Sequence, residues 1–162
     1  GREGRPDVGI AYLLGDPQAK AEANGVFEAY RAAVAAGVER LRREGPAVRG
    51  ALQVAWTERA DYTGMVAGLG MTHVVADRSR PLAVLARRPD GLVQVSTRGT
   101  HEQMKAGLDL GRAVQIAATA VGSEGGGHPD AAGAVVSADK VEPFLAALDA
   151  ALTAQGFLGR GA

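Results

Sequence analysis

The sequence predicts an α/β domain with a mixed β-sheet and flanking helices, preceded by a long connector helix. Two observations lead to this prediction. A long apolar stripe with helical spacing ends at Gly45-Pro46, and in the rest of the chain short strand-like stretches alternate with helical ones. No internal repeat is visible. We therefore expect a connector segment at 1–45 and a domain at 46–162.

The connector helix has clear start and stop signals. Asp16 is a suitable N-cap and Pro17 suits the first helical position, while Gly45-Pro46 ends the helix. The apolar residues between these signals recur every three or four positions, namely Phe27, Tyr30, Val34, Val38 and Leu41. A helix of ~25 residues is long for a compact domain, which favours a connector that reaches a neighbouring domain.

The start of the chain carries less information. Gly1 stands where an initiator Met would be, so we expect either an excised piece of a longer protein or a scar left by cloning. Residues 8–14 are expected to form a short strand or a connecting segment.

From residue 46 onward the predicted elements alternate. Strands are predicted at 51–57, 72–78, 81–88, 92–98 and 134–137. Helices are predicted at 64–69 with Asp61 as cap, between Asp109 and Gly122, and between Asp139 and Gly156. Residues 123–130 are expected to form a loop.

A tight turn at Pro89-Asp90-Gly91 joins two of these strands, because proline fixes φ and glycine accepts a positive φ. Side chains alternate across a strand, so Gln94, Ser96 and Arg98 are expected on one face and apolar residues on the other. A strand with one packed side can present Arg98 beside a binding site.

The composition excludes several classes of protein. The chain has 162 residues, no cysteine, and 18 acidic side chains against 18 basic ones. Without cysteine it has no disulfide, no thiolate metal site and no cysteine nucleophile. No apolar run approaches the ~18 residues of a membrane span, so we expect no membrane partner and a cytoplasmic location.

The zero net charge hides a separation of charge along the chain. Segment 31–49 has five basic against two acidic side chains, segment 71–105 has six against three, and the last third is acidic. A basic face on a neutral protein can attract a phosphate backbone, although a mixed, solvated surface explains the same charges.

The glycine-rich segment at 125–133 carries the most specific chemistry. Gly125, Gly126 and Gly127 can bring the backbone close to a ligand and turn its N–H groups into a concavity that binds anions. His128 follows and can donate to a phosphate or hydroxyl oxygen. The alternative is a flexible surface loop with an incidental histidine.

This segment, Gly-Gly-Gly-His-Pro-Asp-Ala-Ala-Gly, resembles the GGGHxxAAG signature of the DHH-associated domain. That domain is the C-terminal substrate-binding part of DHH-family phosphoesterases, which include RecJ-like single-strand exonucleases, oligoribonucleotide-degrading enzymes and cyclic-dinucleotide hydrolases. Upstream, Val-Ser-Thr-Arg-Gly-Thr at 95–100 is similar to a family strand that ends in Ser-x-Arg. The order of elements also agrees, and the resemblance covers about residues 46–157.

The resemblance implies a division of labour between two domains. An N-terminal DHH domain, missing from this chain, would hold manganese and hydrolyse the phosphodiester, with segment 1–45 as the connector from it. The DHH-associated domain would bind the sugar–phosphate of the substrate. The substrate-binding residues implied in this chain are Arg98, His128, Gly125, Gly126, Gly127 and the weaker candidate Ser96.

No catalytic residue, metal ligand or cofactor is expected within the chain itself. It has no Asp-His-His motif, and its three histidines, His73, His101 and His128, are scattered. Two-metal hydrolysis needs carboxylates and imidazoles that converge on both ions.

We therefore expect the substrate-binding domain of a RecJ-like nuclease, with single-stranded nucleic acid and a DHH catalytic domain as partners. Few aromatic residues are present, so contacts with the phosphate backbone are favoured over base stacking. One alternative is a parent enzyme for small substrates such as cyclic dinucleotides, short oligonucleotides or a phosphoadenosine. The other is a tRNA-binding module, because alanyl-tRNA synthetases carry a related glycine-rich domain.

Overall fold

The structure is a computed structural model that describes residues 6–156. The chain divides into two units inside its long helix, one that ends at Ala36 and one that starts at Gly37. The described helices are α1 (Pro6–Leu13), α2 (Pro17–Glu44), α3 (Thr63–His73), α4 (His101–Lys105), α5 (Leu110–Ala120) and α6 (Val141–Ala154). Short 3-10 helices precede α3 and α6, at Ala60–Tyr62 and Ala138–Lys140.

The first unit contains α1 and the beginning of α2. The prediction of a strand or connecting segment at 8–14 is wrong, because α1 includes all of these residues except the last. Pro6 takes the first position of α1, where its fixed φ suits a helix and its missing N–H is not needed. Gly15, with φ of +85°, then turns the chain into α2.

The long helix α2 begins and ends where the sequence predicts. The Oδ1 atom of Asp16 accepts hydrogen bonds from the backbone N–H groups of Gln18 and Ala19, at 2.8 and 3.3 Å. Gly45, with φ of +67°, follows the last residue of the helix.

The second unit is built on a six-stranded mixed sheet, which confirms the predicted fold class. Its strands are β1 (Ala47–Arg49), β2 (Leu52–Trp56), β3 (Leu82–Arg87), β4 (Leu92–Arg98), β5 (Gly125–His128) and β6 (Ala131–Ser137). In space they follow the order β1-β2-β3-β4-β6-β5. Strands β2 and β3 are parallel, with α3 between them in the chain, and the other neighbouring pairs of the described sheet are antiparallel.

Helices pack on both sides of this sheet. On one side α5 and α6 enclose the larger core, whose fully buried residues include Leu85, Val93, Val95, Leu110, Val114, Phe144, Leu148 and Leu152. On the other side α3 and the end of α2 enclose a smaller core of Leu41, Ala55, Val66, Ala67, Met71, Val75, Leu82 and Val84. The alternation predicted for β4 is confirmed, since Val93 and Val95 face α5 while Ser96 and Arg98 lie on the α3 side.

The strand expected at 72–78 does not form, because α3 extends into it and residues 74–80 form an irregular loop. Asp77 organises this loop: its Oδ1 atom accepts hydrogen bonds from the N–H and the hydroxyl of Ser79, at 2.8 and 2.5 Å. The buried Gln53 amide donates to two carbonyl groups of the loop. The bonds between Asp77 and Ser79 are local; such bonds compete with strand pairing, and an apolar pattern does not reveal them.

Two of the predicted helix caps are wrong. Asp61 and Asp139 lie within the 3-10 helices that precede α3 and α6, so the N-cap positions shift to Tyr62 and Lys140, which make no side-chain cap hydrogen bond. Asp109 does cap α5 as predicted, because its Oδ1 atom accepts the N–H of the third helical residue at 2.9 Å.

We expect Asp77 to make the stability of this loop depend on pH. Hydrogen bonds from Ser79, and then from Arg80, lower the pKa of Asp77 below its ordinary value. A carboxylate with a lowered pKa stabilises the folded state above about pH 4, and this contribution is lost as the pH falls through the folded pKa. The Tm of Asp77→Asn should therefore lie below that of the wild type at pH 7, and the difference should shrink as the pH falls below 4.

Thermal unfolding of both proteins between pH 7 and pH 2.5 measures this difference. The carboxylate is one-third exposed, so the difference at neutral pH should stay under about 1 kcal/mol. A Tm difference that remains constant down to pH 2.5 would exclude Asp77 as the source.

Candidate functional site

The register of three neighbouring strands brings Arg98 and His128 into one row. Arg98 at the end of β4 lies opposite Ala131 on β6, and Ala131 lies opposite His128 at the end of β5. Directly paired residues of antiparallel strands point to the same face of the sheet. Arg98 and His128 therefore share a face, separated by two strand spacings, or roughly 10 Å between their backbones.

We call this side of β4, β6 and β5 the open face. Its β6 residues, Ala131, Gly133 and Val135, remain partly exposed, whereas Ala132 and Ala134 on the other side are buried under α5. Small residues in the middle strand leave free space between the two flanking side chains. The open face is therefore a shallow trough with Arg98 on one side and His128 on the other.

The Arg98 side chain lies along α3 at the margin of the trough. Its Nη1 atom donates to the carbonyl of Thr97 at 2.8 Å. A Cβ atom placed on Gly64 would lie 3.3 Å from Nη2 of Arg98, and one on Gly68 would lie 3.9 Å from Nε. The guanidinium group therefore occupies the space above two glycines of one helix.

His128 is exposed, and the turn that follows it is held in place by backbone hydrogen bonds. Pro129 and Asp130 connect β5 to β6, and their carbonyl groups accept the N–H groups of Leu110 and Gly99, both at 2.9 Å. The turn is thereby tied to the start of α5 and to the residue after Arg98. Within residues 6–156 the His128 ring has no hydrogen-bond partner, so it is available to a ligand.

The prediction of a loop at 123–130 is wrong, because Gly125–His128 forms the edge strand β5. A run of glycines lacks the side chains that favour strands, so the pattern predicted a loop. A Cβ atom on Gly125 would lie 2.8 Å from the Cβ of Ala134, and one on Gly127 would lie 2.5 Å from the carbonyl oxygen of Ala131. Both glycines are required by close packing of the protein against itself.

Gly126 differs from its two neighbours. Its φ is +154°, and the nearest atom to an added Cβ would be the carbonyl oxygen of Gly111, 4.0 Å away. Gly126 also lines a groove of about 540 Å³ between β5 and the start of α5, with Arg112, Gln115 and Pro129. The backbone of β5 is therefore accessible at its middle glycine.

Ser96 is buried beneath α3, at 8% exposure. Its Oγ atom lies 2.8 Å from Oγ1 of Thr63, which itself donates to the carbonyl of Ala60. Because the Thr63 proton is used in that bond, the Ser96 hydroxyl is the donor to Thr63. Ser96 thus links β4 to the start of α3, two residues along the strand from Arg98.

Residues 51–154 of the chain match the DHHA1 domain family. The chain belongs to this family. Over 58 residues it is 43% identical to protein MJ0831 of Methanocaldococcus jannaschii, a stretch that covers 36% of this chain and 13% of that protein.

Three solved structures share the fold of this DHHA1 domain. RecJ of Thermus thermophilus in complex with Mn²⁺ superposes with a TM-score of 0.71 at 18% identity, over 94% of this chain and 22% of RecJ. The pGpG-specific phosphodiesterase PggH of Vibrio cholerae gives a TM-score of 0.52 at 14% identity, over 91% of this chain and 46% of PggH. The C-Ala domain of Aquifex aeolicus alanyl-tRNA synthetase gives 0.52 at 12% identity, over 67% of this chain and 97% of that domain.

The described part of the DHHA1 domain does not fit a metal centre. Among residues 6–156 no three histidine, aspartate or glutamate side chains lie close enough together to hold an ion. His73 and His101 are exposed, at the end of α3 and the start of α4. No helix of this part is long and apolar enough to cross a membrane.

Sequence reasoning missed the residues that support Arg98 from the helix. Thr63 and Gly64 lie in the first turn of α3 and Gly68 lies one turn further along; Thr63 hydrogen-bonds with Ser96, and the two glycines face Arg98. A signal was present, since two glycines four residues apart in a helix lie on the same face and lower its intrinsic stability. Nothing in the sequence alone relates this face to the end of β4.

Proposed function

We propose that this DHHA1 domain is the substrate-binding domain of a DHH-family phosphoesterase, a cytoplasmic RecJ-like exonuclease that acts on single-stranded nucleic acid. The row Arg98–Ala131–His128 is the observation that supports this proposal most strongly. It places a permanent cation and an exposed imidazole on either side of a small residue, beside the accessible backbone of Gly126. A chain of phosphates separated by sugars fits such an arrangement.

In this proposal Arg98 binds a phosphate through its planar fork of N–H donors, which matches two phosphate oxygens at once. His128 donates to a neighbouring phosphate or to a ribose hydroxyl. The backbone around Gly126 contributes N–H donors, while Gly125 and Gly127 allow β5 to lie where it does. Ser96 acts indirectly, through Thr63 and the position of α3.

Catalysis belongs, in this proposal, to a DHH domain that precedes the chain and binds manganese. The acidic and histidine residues at 6–156 do not converge, so hydrolysis needs groups from elsewhere. The DHHA1 domain would hold the sugar–phosphate while the partner domain cleaves the diester. The chain spans about a fifth of the Thermus thermophilus RecJ and about half of PggH, which leaves room in such proteins for a catalytic domain.

Titration of the full chain with three probes tests the proposal. The probes are a single-stranded oligomer of ten thymidines, the dinucleotide pGpG and a tRNA acceptor-stem hairpin. Binding of the thymidine oligomer should shift the backbone amide NMR signals of 96–98 and 125–128. Its affinity should fall as salt rises, because phosphate binding releases counterions.

The rank of the three affinities separates the possible substrates. Tighter binding of pGpG than of the oligomer would indicate a small-substrate enzyme, and preference for the hairpin would indicate a tRNA-binding module. Shifts confined to residues outside 96–98 and 125–128 would show that the site lies elsewhere on the domain.

A further inference from the structure

We propose that Gly64 and Gly68, the glycine pair of α3, are positioning residues for Arg98; this inference rests on the phosphate-binding function proposed for Arg98. The pair lies four residues apart, so both glycines face the same direction from the helix. Their shared face is directed at the guanidinium group and not at the apolar core.

The contacts of the two positions are specific to the site. Around an added Cβ at Gly64, Nη2 of Arg98 at 3.3 Å and Oγ of Ser96 at 3.8 Å are the atoms of the described structure within 4 Å. For an added Cβ at Gly68, Nε of Arg98 at 3.9 Å is the one atom within 4 Å among the residues that the structure describes. Each glycine therefore leaves space for the arginine of the row.

A third glycine of the same helix shows what a packing glycine looks like. A Cβ on Gly70 would lie 2.4 Å from Cδ2 of Leu41 and 3.1 Å from Cδ2 of Leu82, both in the smaller core. Gly70 is required because the helix packs closely against apolar neighbours. Gly64 and Gly68 have no such neighbours, so core packing does not explain them.

Glycine inside a helix lowers the stability of the folded state compared with alanine, because glycine loses more conformational entropy when the chain folds. The glycine pair carries this cost in the first turn of α3, at Gly64, and in the middle of the helix, at Gly68. In return, the Arg98 guanidinium group lies in the gap that the missing Cβ atoms leave, while its Nη1 atom donates to the carbonyl of Thr97. A side chain held in one position loses less entropy when it binds a phosphate.

A graded set of substitutions tests the inference in the full chain. The probe is the fluorescein-labelled oligomer of ten thymidines, and Tm is measured on the same samples. Gly64→Ala should weaken binding about fivefold, part of the loss caused by removal of a charged hydrogen bond, without lowering Tm. Gly68→Ala should weaken binding less, since its Cβ lies in ordinary contact distance. Gly64→Leu should approach the loss seen for Arg98→Ala.

Gly70→Ala is the matched control in the same helix. It should lower Tm, because the new Cβ meets Leu41, and leave the affinity for the oligomer unchanged. The double variant Gly64→Leu/Arg98→Ala should bind no more weakly than Arg98→Ala alone, since the glycine pair acts through Arg98.

The possible failures are distinguishable. If Arg98→Ala weakens binding and Gly64→Leu binds as the wild type does, the glycine pair does not position Arg98, while the proposed function stands. If Arg98→Ala itself binds like the wild type, both the inference and the role of Arg98 are overturned. If Gly64→Ala and Gly70→Ala lower Tm equally, Gly64 is a packing glycine and the inference is wrong.

Discussion

Replacement of Arg98 by alanine should weaken binding of single-stranded oligonucleotide by about 1.5–3 kcal/mol, or roughly ten- to a hundredfold. The loss follows from the charge and the two-pronged geometry of the guanidinium group, which no other residue of the row supplies. Isothermal titration with the oligomer of ten thymidines at 50 mM salt measures it. Arg98→Lys should restore only part of the affinity, because lysine keeps the charge and loses the fork.

Arg88 offers a matched control. It lies in the turn before β4, at the far end of that strand from Arg98, and pairs with Asp90 at 2.8 Å. Arg88→Ala changes the net charge by the same amount, so a general electrostatic effect would appear in both variants. Equal losses for Arg88→Ala and Arg98→Ala would mean that the oligomer senses overall charge and not this site.

Replacement of Gly127 by alanine should destabilise the domain by about 2–4 kcal/mol, the scale of forced overpacking combined with backbone strain. The added Cβ would lie 2.5 Å from the carbonyl oxygen of Ala131 and 2.6 Å from the Cα of Ala132, and backbone atoms cannot move aside easily. Its φ of +151° also disfavours any side chain. Urea unfolding followed by far-UV circular dichroism measures the change.

Gly126→Ala separates the two causes of this loss. The φ of Gly126, +154°, is nearly the same as that of Gly127, whereas a Cβ added to Gly126 meets no atom closer than 4.0 Å. We expect a loss of about 1 kcal/mol from backbone strain alone. If both variants lose the same stability, the contact of Gly127 with β6 is not the source of its requirement for glycine.

The sequence alone gave a different expectation for these glycines. A surface loop tolerates substitution with little loss of stability, and 123–130 was predicted to be such a loop. In the structure Gly125 and Gly127 contribute to the close contact of β5 with β6. A glycine required by packing and a glycine required by a ligand look identical in a single sequence, since both are recognised only by what would meet the missing Cβ.

Local signals were sufficient for much of the fold. The Asp16-Pro17 start of α2, the Pro89-Asp90-Gly91 turn and the Asp109 cap each depend on a few adjacent residues, and the structure has them where they were predicted. The irregular loop at 74–80 was missed because Gln53, a residue of another strand, holds it. In this loop a partner distant in the chain helps to decide the conformation, and a local pattern cannot show it.

In the candidate site, too, the residues of short motifs could be predicted and the contacts made by a distant helix could not. The sequence motifs predict Arg98 and His128 as binding residues, and the sheet register places them in one row with Ala131. The side chains that surround Arg98 from α3 could not be predicted, because the approach of that helix to β4 depends on the whole of the smaller core. The strand pattern predicts Ser96 on the same face as Arg98, whereas its burial depends on the approach of α3 to β4.

The position of β6 between β4 and β5 has a consequence for the order in which the domain matures. During synthesis β4 and β5 are complete before β6, yet they do not pair with each other in the finished sheet. Until β6 inserts between them, Arg98 and His128 have no fixed spacing, and any earlier intermediate lacks the trough. If the trough binds the substrate as proposed, competence to bind depends on β6, and a nascent chain that ends before β6 lacks the assembled trough.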